Sequence, residues 1–326
     1  MKHLKEKYDE GIYSSALMDF YFRDMNIGIL DIETTGLDPS RNKFILGGLF
    51  NTRDKTMHQV FAESRSEEAA ALESFTRELE GLDMVVTYNG RHFDMPFINK
   101  RLKSFGMKSC RPYNLDLYLV VSGHSPIRKF VPNLKQKTVE NYMGLWQSRA
   151  DEISGAESVE LYNRYEKTGD PGLEEKILLH NSDDVLQLAR LLRVISKTDF
   201  HKAMHHLGFP AGPLTVDKIR FEGNFMTVSG LQRNAALDYR GFFLDDYPVE
   251  TCFVSRDSYF DIRFPLIRDS GLAIVDLEAA GLPQEDFAKY PSYSSGFLVV
   301  EDHSSRNYME INHFIIAFIK RFMESI

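Results

Sequence analysis

Cysteine is nearly absent from this chain, with only Cys110 and Cys252 among 326 residues. Two thiols so far apart make neither a disulfide framework nor a metal knuckle, and both read as buried thiols. Long apolar runs are absent as well: none approaches the ~20 residues needed to cross a bilayer. Residues 1–10 carry charge where a signal peptide would carry an apolar stretch. These absences lead to the expectation of a cytoplasmic protein without a membrane partner. Internal repeats and low-complexity tracts are missing too. Positive charge is short, with 39 Lys and Arg against 47 Asp and Glu, a net charge of -8. That deficit counts against a simple basic-faced nucleic-acid binder. It does not exclude one that works through cations, because a carboxylate cluster holding divalent ions restores positive charge locally. What is present, 43% hydrophobic and 26% charged residues, suits a soluble globular chain of one large domain or two.

Periodicity orders the chain. Residues 1–25 read as a charged, partly helical lead-in. Strand-like runs follow at 27–32, 44–51 and 56–62, with connections short enough for antiparallel neighbours. Residues 66–80 have helical spacing, with Ala69, Leu72, Phe75 and Leu79 on one stripe. A short strand is expected at 84–88, a helix at 97–105, a strand at 115–121 and a helix at 138–143. The polar stretch 148–171 leads into a long helical pattern at 173–195. Gly208, Pro210, Gly212 and Pro213 mark a domain boundary. Beyond it, 214–221 and 225–231 read as a hairpin, and 259–264, 272–275 and 297–300 as further strands. The end is an amphipathic helix with Ile311, Phe314, Ile315, Phe318, Ile319 and Phe322 on its apolar side. The expected division is a lead-in (1–25), an α/β domain (26–207) and a smaller α+β domain (208–326) of mostly antiparallel strands backed by the terminal helix. That last domain carries no metal, phosphate or nucleophile motif. Guiding a substrate, and a dimerising or purely structural role, are equally open to it.

Three motifs carry chemistry. Asp31-Ile32-Glu33-Thr34-Thr35-Gly36 ends the first apolar strand, and residues i and i+2 of a strand share a face, so Asp31 and Glu33 project together. Burying two carboxylates side by side is costly, and a hard divalent cation resolves the conflict. Asn89-Gly90-Arg91-His92-Phe93-Asp94 follows the 84–88 strand, placing Asp94 where a helix begins, as a cap or a ligand or both. In His180-Asn181-Ser182-Asp183-Asp184 the spacing puts His180 and Asp184 on one helix face, with Asp183 turned toward solvent. Asp116, near the 115–121 strand, reads as a structural acid, with support of the metal ligands from behind as its other reading. The basic segment of Arg128, Lys129, Lys135 and Lys137 either grips phosphates or stands as a solvated loop.

In this order the motifs resemble the DEDD exonuclease superfamily. The Asn-Gly-x-x-Phe-Asp-x-Pro and His-Asn-x-x-Asp-Val patterns, with the stretch from Asp151 through Gly155 to Asp170, are most similar to the YprB-type ribonuclease-H-like domain family. The resemblance spans roughly residues 25–195. It implies an α/β ribonuclease-H-like mixed sheet flanked by helices. It also implies two divalent cations, Mg²⁺ or Mn²⁺, on Asp31, Glu33, Asp94 and Asp184. DNA or RNA becomes the expected partner and 3′-end hydrolysis the expected reaction, with Thr34, Asn89, Arg128, Lys129, Lys135 and Lys137 as substrate contacts. The alternative is a nucleic-acid-binding module of the same fold with weak or no activity. One departure stands out: His180 occupies the position, four before the last Asp, where the superfamily has tyrosine in one branch, so general base, water-orienting residue and structural helix-face histidine are all open roles for it. Oligomeric state is not legible.

Overall fold

In a computed structural model, which describes residues 1–9, 11–145 and 153–326, the chain forms two compact units, Met1–Thr198 and Asp199–Ile326. Asp151 and Glu152 of the polar stretch lie outside the described residues. Among the described residues no helix is long and apolar enough to cross a membrane.

The first unit runs β1 (Lys2–Lys7), α1 (Ala16–Phe22), β2 (Ile27–Thr34), β3 (Phe44–Asn51), β4 (Thr56–Phe61), α2 (Glu68–Leu79), β5 (Met84–Thr87) and α3 (Asp94–Ser104). It continues with β6 (Tyr113–Asp116), α4 (Leu117–His124), α5 (Gln136–Tyr142), α6 (Gly155–Thr168) and α7 (Pro171–Leu191). Its six strands order β1-β4-β3-β2-β5-β6, antiparallel as far as β2 and parallel from β2 through β5 to β6. This is the expected mixed sheet flanked by helices. One face carries Leu30, Ile32, Leu49 and Val60 against Leu72, Phe75 and Ile98 of α2 and α3. On the other side Leu46 and Phe61 join Tyr162, Tyr165 and Ile177 of α6 and α7.

Several expectations differ from the structure. The lead-in is not separate, because Lys2–Lys7 pairs along the whole of β4 as an edge strand. The apolar run 115–121 divides at Asp116, whose carboxylate accepts hydrogen bonds from the Tyr118 and Leu119 amides and so starts a helix where a strand is expected. The polar stretch contains α6, opened by a Ser154–Glu157 capping box and closed by Gly169 in the left-handed region. Both cysteines are half-buried free thiols.

A buried ion pair ties the two helices of the first face together. Glu68 on α2 receives Nε and Nη2 of Arg101 on α3 at 2.6 and 2.7 Å, and its Oε1 also accepts the Phe44 amide at 3.0 Å. Removing Arg101 leaves Glu68 charged and buried with the more exposed Lys43, its Nζ 3.3 Å away, as a weaker partner, and breaking such a buried pair typically costs ~3–5 kcal/mol. Arg101→Ala is expected to lose about that much in urea unfolding, and a loss under ~1 kcal/mol would show that the pair is solvated.

The second unit opens with α8 (Phe200–Leu207), followed by β7 (Phe209–Ala211), β8 (Leu214–Glu222), β9 (Phe225–Gln232), β10 (Tyr239–Gly241), β11 (Glu250–Val254) and β12 (Tyr259–Pro265). A smaller sheet holds β13 (Ile267–Asp269), β14 (Leu272–Asp276), β15 (Tyr293–Ser294), β16 (Phe297–Asp302) and β17 (Ser305–Arg306), before α9 (Tyr308–Ser325). Among the described residues the strands of this unit pair antiparallel throughout, and Phe264 packs its ring 4.7 Å from that of Phe318 on α9. The boundary falls before α8, ahead of the expected 207/208. Asn312 of α9 donates to the His201 carbonyl, and Gly208 turns the chain from α8 into β7 at φ +87°. The Gly-Pro cluster therefore punctuates the inside of this unit.

Candidate active site

Asp31 and Glu33 stand on β2, the strand at which the sheet changes from antiparallel to parallel. Ile32 between them enters the opposite core. A register shift between Glu33 and Thr34 ends the regular pairing there, a common device for aiming side chains near a site.

Asp94 is brought in from the carboxyl end of β5. The loop after that strand turns through Asn89 at φ +66°, a conformation asparagine tolerates. Asp116, at the end of β6, accepts the Asn89 amide at 2.8 Å and the Arg91 amide at 3.0 Å while also capping α4. This buried acid thus holds the loop that carries Asp94. Asp94 itself is the first residue of α3, directly after the N-cap Phe93.

The third motif lies on α7. His180 is 2% exposed, with Nε2 3.4 Å from Glu33 Oε1 and 3.7 Å from Asp184 Oδ2. Asn181 donates from Nδ2 to Asp31 Oδ2 at 3.0 Å, and its Oδ1 accepts from Gln59 Nε2 on β4 at 3.0 Å. Between Asp31 and Gln59 in the sheet lies Gly48, where a Cβ would sit 2.2 Å from Asn181 Oδ1. Next to it, Gly47 leaves room on the other face for the Phe75 ring, 2.6 Å from its would-be Cβ. Two consecutive glycines let a helix press close on each face. Asn181 belongs to a motif visible in the sequence, but its partners lie 150 and 122 residues away. The glycine pair inside a strand was the available signal. Asp183 corrects an expectation: it is buried, because the sheet, α5 and α6 all pack against α7.

Burial pushes the Asp31 carboxyl well above the usual carboxylate range. The charges of Asp94, Asp184 and Glu33 push the same way, against the Asn181 hydrogen bond. Asp94 is pushed up to about 7, chiefly by burial and then by Asp116 and Glu33, although its own amide and that of Ile32 oppose the shift. A carboxyl that titrates higher when folded takes up protons on folding, so it contributes stability at low pH that disappears as pH rises. The window runs from the ordinary carboxylate value near ~4 to about 7. In chelator, Asp94→Asn is expected to melt progressively higher than the unmodified chain as pH rises through that window. A constant difference between the two melting curves would deny Asp94 its raised value.

The substrate contacts expected from sequence are more scattered. Thr34 is buried and donates its hydroxyl to the Gly36 carbonyl, shaping the turn after β2. Asn89 is fixed by its backbone, as above. Arg128, Lys129 and Lys135 are exposed, Arg128 reaching the Ser122 carbonyl at 3.2 Å, whereas Lys137 donates to the Ile153 carbonyl at 2.5 Å and is half-buried. Gln136 connects this segment to α7 through the Asp184 carbonyl at 3.1 Å, and Tyr88 donates to the Leu134 carbonyl at 2.6 Å. The sequence reading missed Phe130 and Tyr142, 67% and 45% exposed, whose rings stack at 6.4 Å beside the basic residues.

Comparison with known proteins finds that the sequence model of the RNase_H superfamily matches residues 29–196. The uncharacterized protein YprB of Bacillus subtilis is 27% identical over an alignment of 197 residues that covers 53% of this chain and 42% of that one. The chain thus spans less than half the length of that relative. Uncharacterized protein MJ0365 of Methanocaldococcus jannaschii is 25% identical over 173 residues, covering 51% of this chain and 93% of the relative. Among solved structures, the family B DNA polymerase of Pyrobaculum calidifontis aligns with a TM-score of 0.42 at 20% identity, over 52% of this chain and 24% of that one.

Proposed function

This chain belongs to the RNase_H superfamily, and on that footing we propose that it is a metal-dependent nuclease hydrolysing phosphodiester bonds from the 3′ end of nucleic acid. One observation carries the reading: Asp31 sits among the charges of Glu33, Asp94 and Asp184, drawn from three distant motifs. The donor set fits hard divalent cations, since carboxylate oxygens suit Mg²⁺ and Mn²⁺ and repel one another without them. Asp31, Glu33, Asp94 and Asp184 would hold two such ions. When bound, these supply acidification of a water and charge neutralisation at the leaving oxygen.

The chain's own groups do the rest. His180 Nε2, beside Glu33 and Asp184, accepts the proton of the attacking water as a general base. Asn181 fixes the Asp31 carboxylate so that one oxygen keeps a constant direction. Lys129, Lys135 and Arg128 engage backbone phosphates, and the Phe130–Tyr142 stack offers a face for an unpaired base. End-labelled single- and double-stranded DNA and RNA, incubated with Mg²⁺ or Mn²⁺, test the proposal. Stepwise shortening from the 3′ end is expected. Binding without cleavage of any substrate would make the chain an inactive nucleic-acid module.

A further inference from the structure

We infer that His3, His58 and Glu78 form a separate site for one divalent transition ion of the zinc class, on the sheet face opposite to that of Asp31 and Glu33. The three residues come from β1, β4 and α2, and their candidate ligand atoms all lie within 4.8 Å of one another. Strand alternation sets the face. Gln59 points with Asp31 toward α7, so His58 beside it points to the α2 side, and His3 and Lys5 share that side through the β1–β4 register.

The geometry suits a shared ion. His3 Nε2 lies 3.4 Å from Glu78 Oε1, close to the ~3.3 Å separating two ligands ~2.0–2.1 Å from a tetrahedral metal. His58 Nδ1 lies 2.8 Å from Glu78 Oε2. That nitrogen is buried and makes no hydrogen bond despite the short separation. A side chain 9% exposed, with an unsatisfied nitrogen inside a cluster of ligand atoms, is what an ion would complete. Two imidazoles and one carboxylate select Zn²⁺, Co²⁺ or Ni²⁺ over Mg²⁺ and Ca²⁺, which prefer all-oxygen shells. Lys5 Nζ, 3.5 Å from Glu78 Oε1, is the competing cation, but its side chain is 55% exposed and can swing into solvent.

Such an ion would clip the edge strand β1, most of whose side chains are exposed, to β4 and to α2. The site is independent of the nuclease reading. Zn²⁺ and Co²⁺ are titrated into the full chain carrying Asp31→Asn and Asp184→Asn, which removes the carboxylate centre as a competing sink. One Zn²⁺ per chain is expected, held at micromolar or tighter affinity, undisplaced by excess Mg²⁺. It should raise the melting temperature, and Co²⁺ in its place should show the intense visible bands of a four-coordinate ion. His3→Gln, at a partly exposed position that tolerates change, is expected to weaken binding about tenfold or more, and Glu78→Gln likewise. No Zn²⁺ bound below millimolar concentration, or binding unchanged in both variants, overturns the site. Either outcome leaves nucleic-acid cleavage by the unmodified chain unaffected.

Discussion

Asp31→Asn is expected to abolish Mg²⁺- or Mn²⁺-dependent cleavage while the metal-free protein stays folded and melts higher than the unmodified chain. The two halves of this result have one cause. Asp31 is surrounded by Asp94, Asp184 and Glu33, so a neutral amide relieves repulsion in the absence of metal. The same replacement removes a hard anionic oxygen from the ligand set. Ligation supplies several kcal/mol of charge stabilisation in such reactions, and at about 1.4 kcal/mol per tenfold a loss of ~4 kcal/mol slows turnover ~10³-fold or more. Single-turnover rates on end-labelled single strands, together with melts in chelator, measure both halves. Turnover at the unmodified rate would remove Asp31 from the centre. A lower metal-free melting temperature would show instead that its hydrogen bond to Asn181 matters more than the crowding.

His180→Ala is expected to slow the chemical step ~10²–10⁴-fold, the usual range for a lost acid–base group, while metal affinity changes little. The imidazole is buried and turned toward Glu33 and Asp184, so it is placed to take a proton but supplies no carboxylate oxygen. Manganese titration by calorimetry separates the roles. Retained binding with slowed turnover supports the base, whereas loss of binding would make His180 a packing or ligand residue. Unchanged turnover at neutral pH would return it to a structural part. His180→Gln refines the test, because an amide can orient a water without accepting its proton.

Most of the first sheet was legible because β2 to β5 bury apolar residues between clear turn-formers, so pattern and punctuation agree. The edge strand β1 was not. With one face of the ladder open and nearly every side chain exposed, Lys2–Lys7 has no apolar signature, and its hydrogen bonds to β4 leave no mark on its own sequence. Helix α6 hid for a related reason: its buried contacts rest chiefly on Tyr162 and Tyr165, a thin stripe in a polar stretch. At the candidate site the acids were readable from strand alternation and helix spacing, which are local. The burial of Asp183 was not, since it depends on helices packed from several directions. Nor was the task of Asn181, which exists only once β3 and β4 lie beneath α7.

Gly47 and Gly48 have a consequence for how this centre tolerates change. The depth at which α7 sits over the sheet is set by a position with no side chain, and that depth fixes how far apart the acids of β2 and α7 stand. A single added methyl at Gly48 would meet Asn181 at 2.2 Å, displacing the amide and freeing the Asp31 carboxylate to rotate. A neutral, non-reactive alanine there would thus act as a shim under the helix. The spacing of the acids is calibrated by an empty place, which any search for reactive groups would pass over.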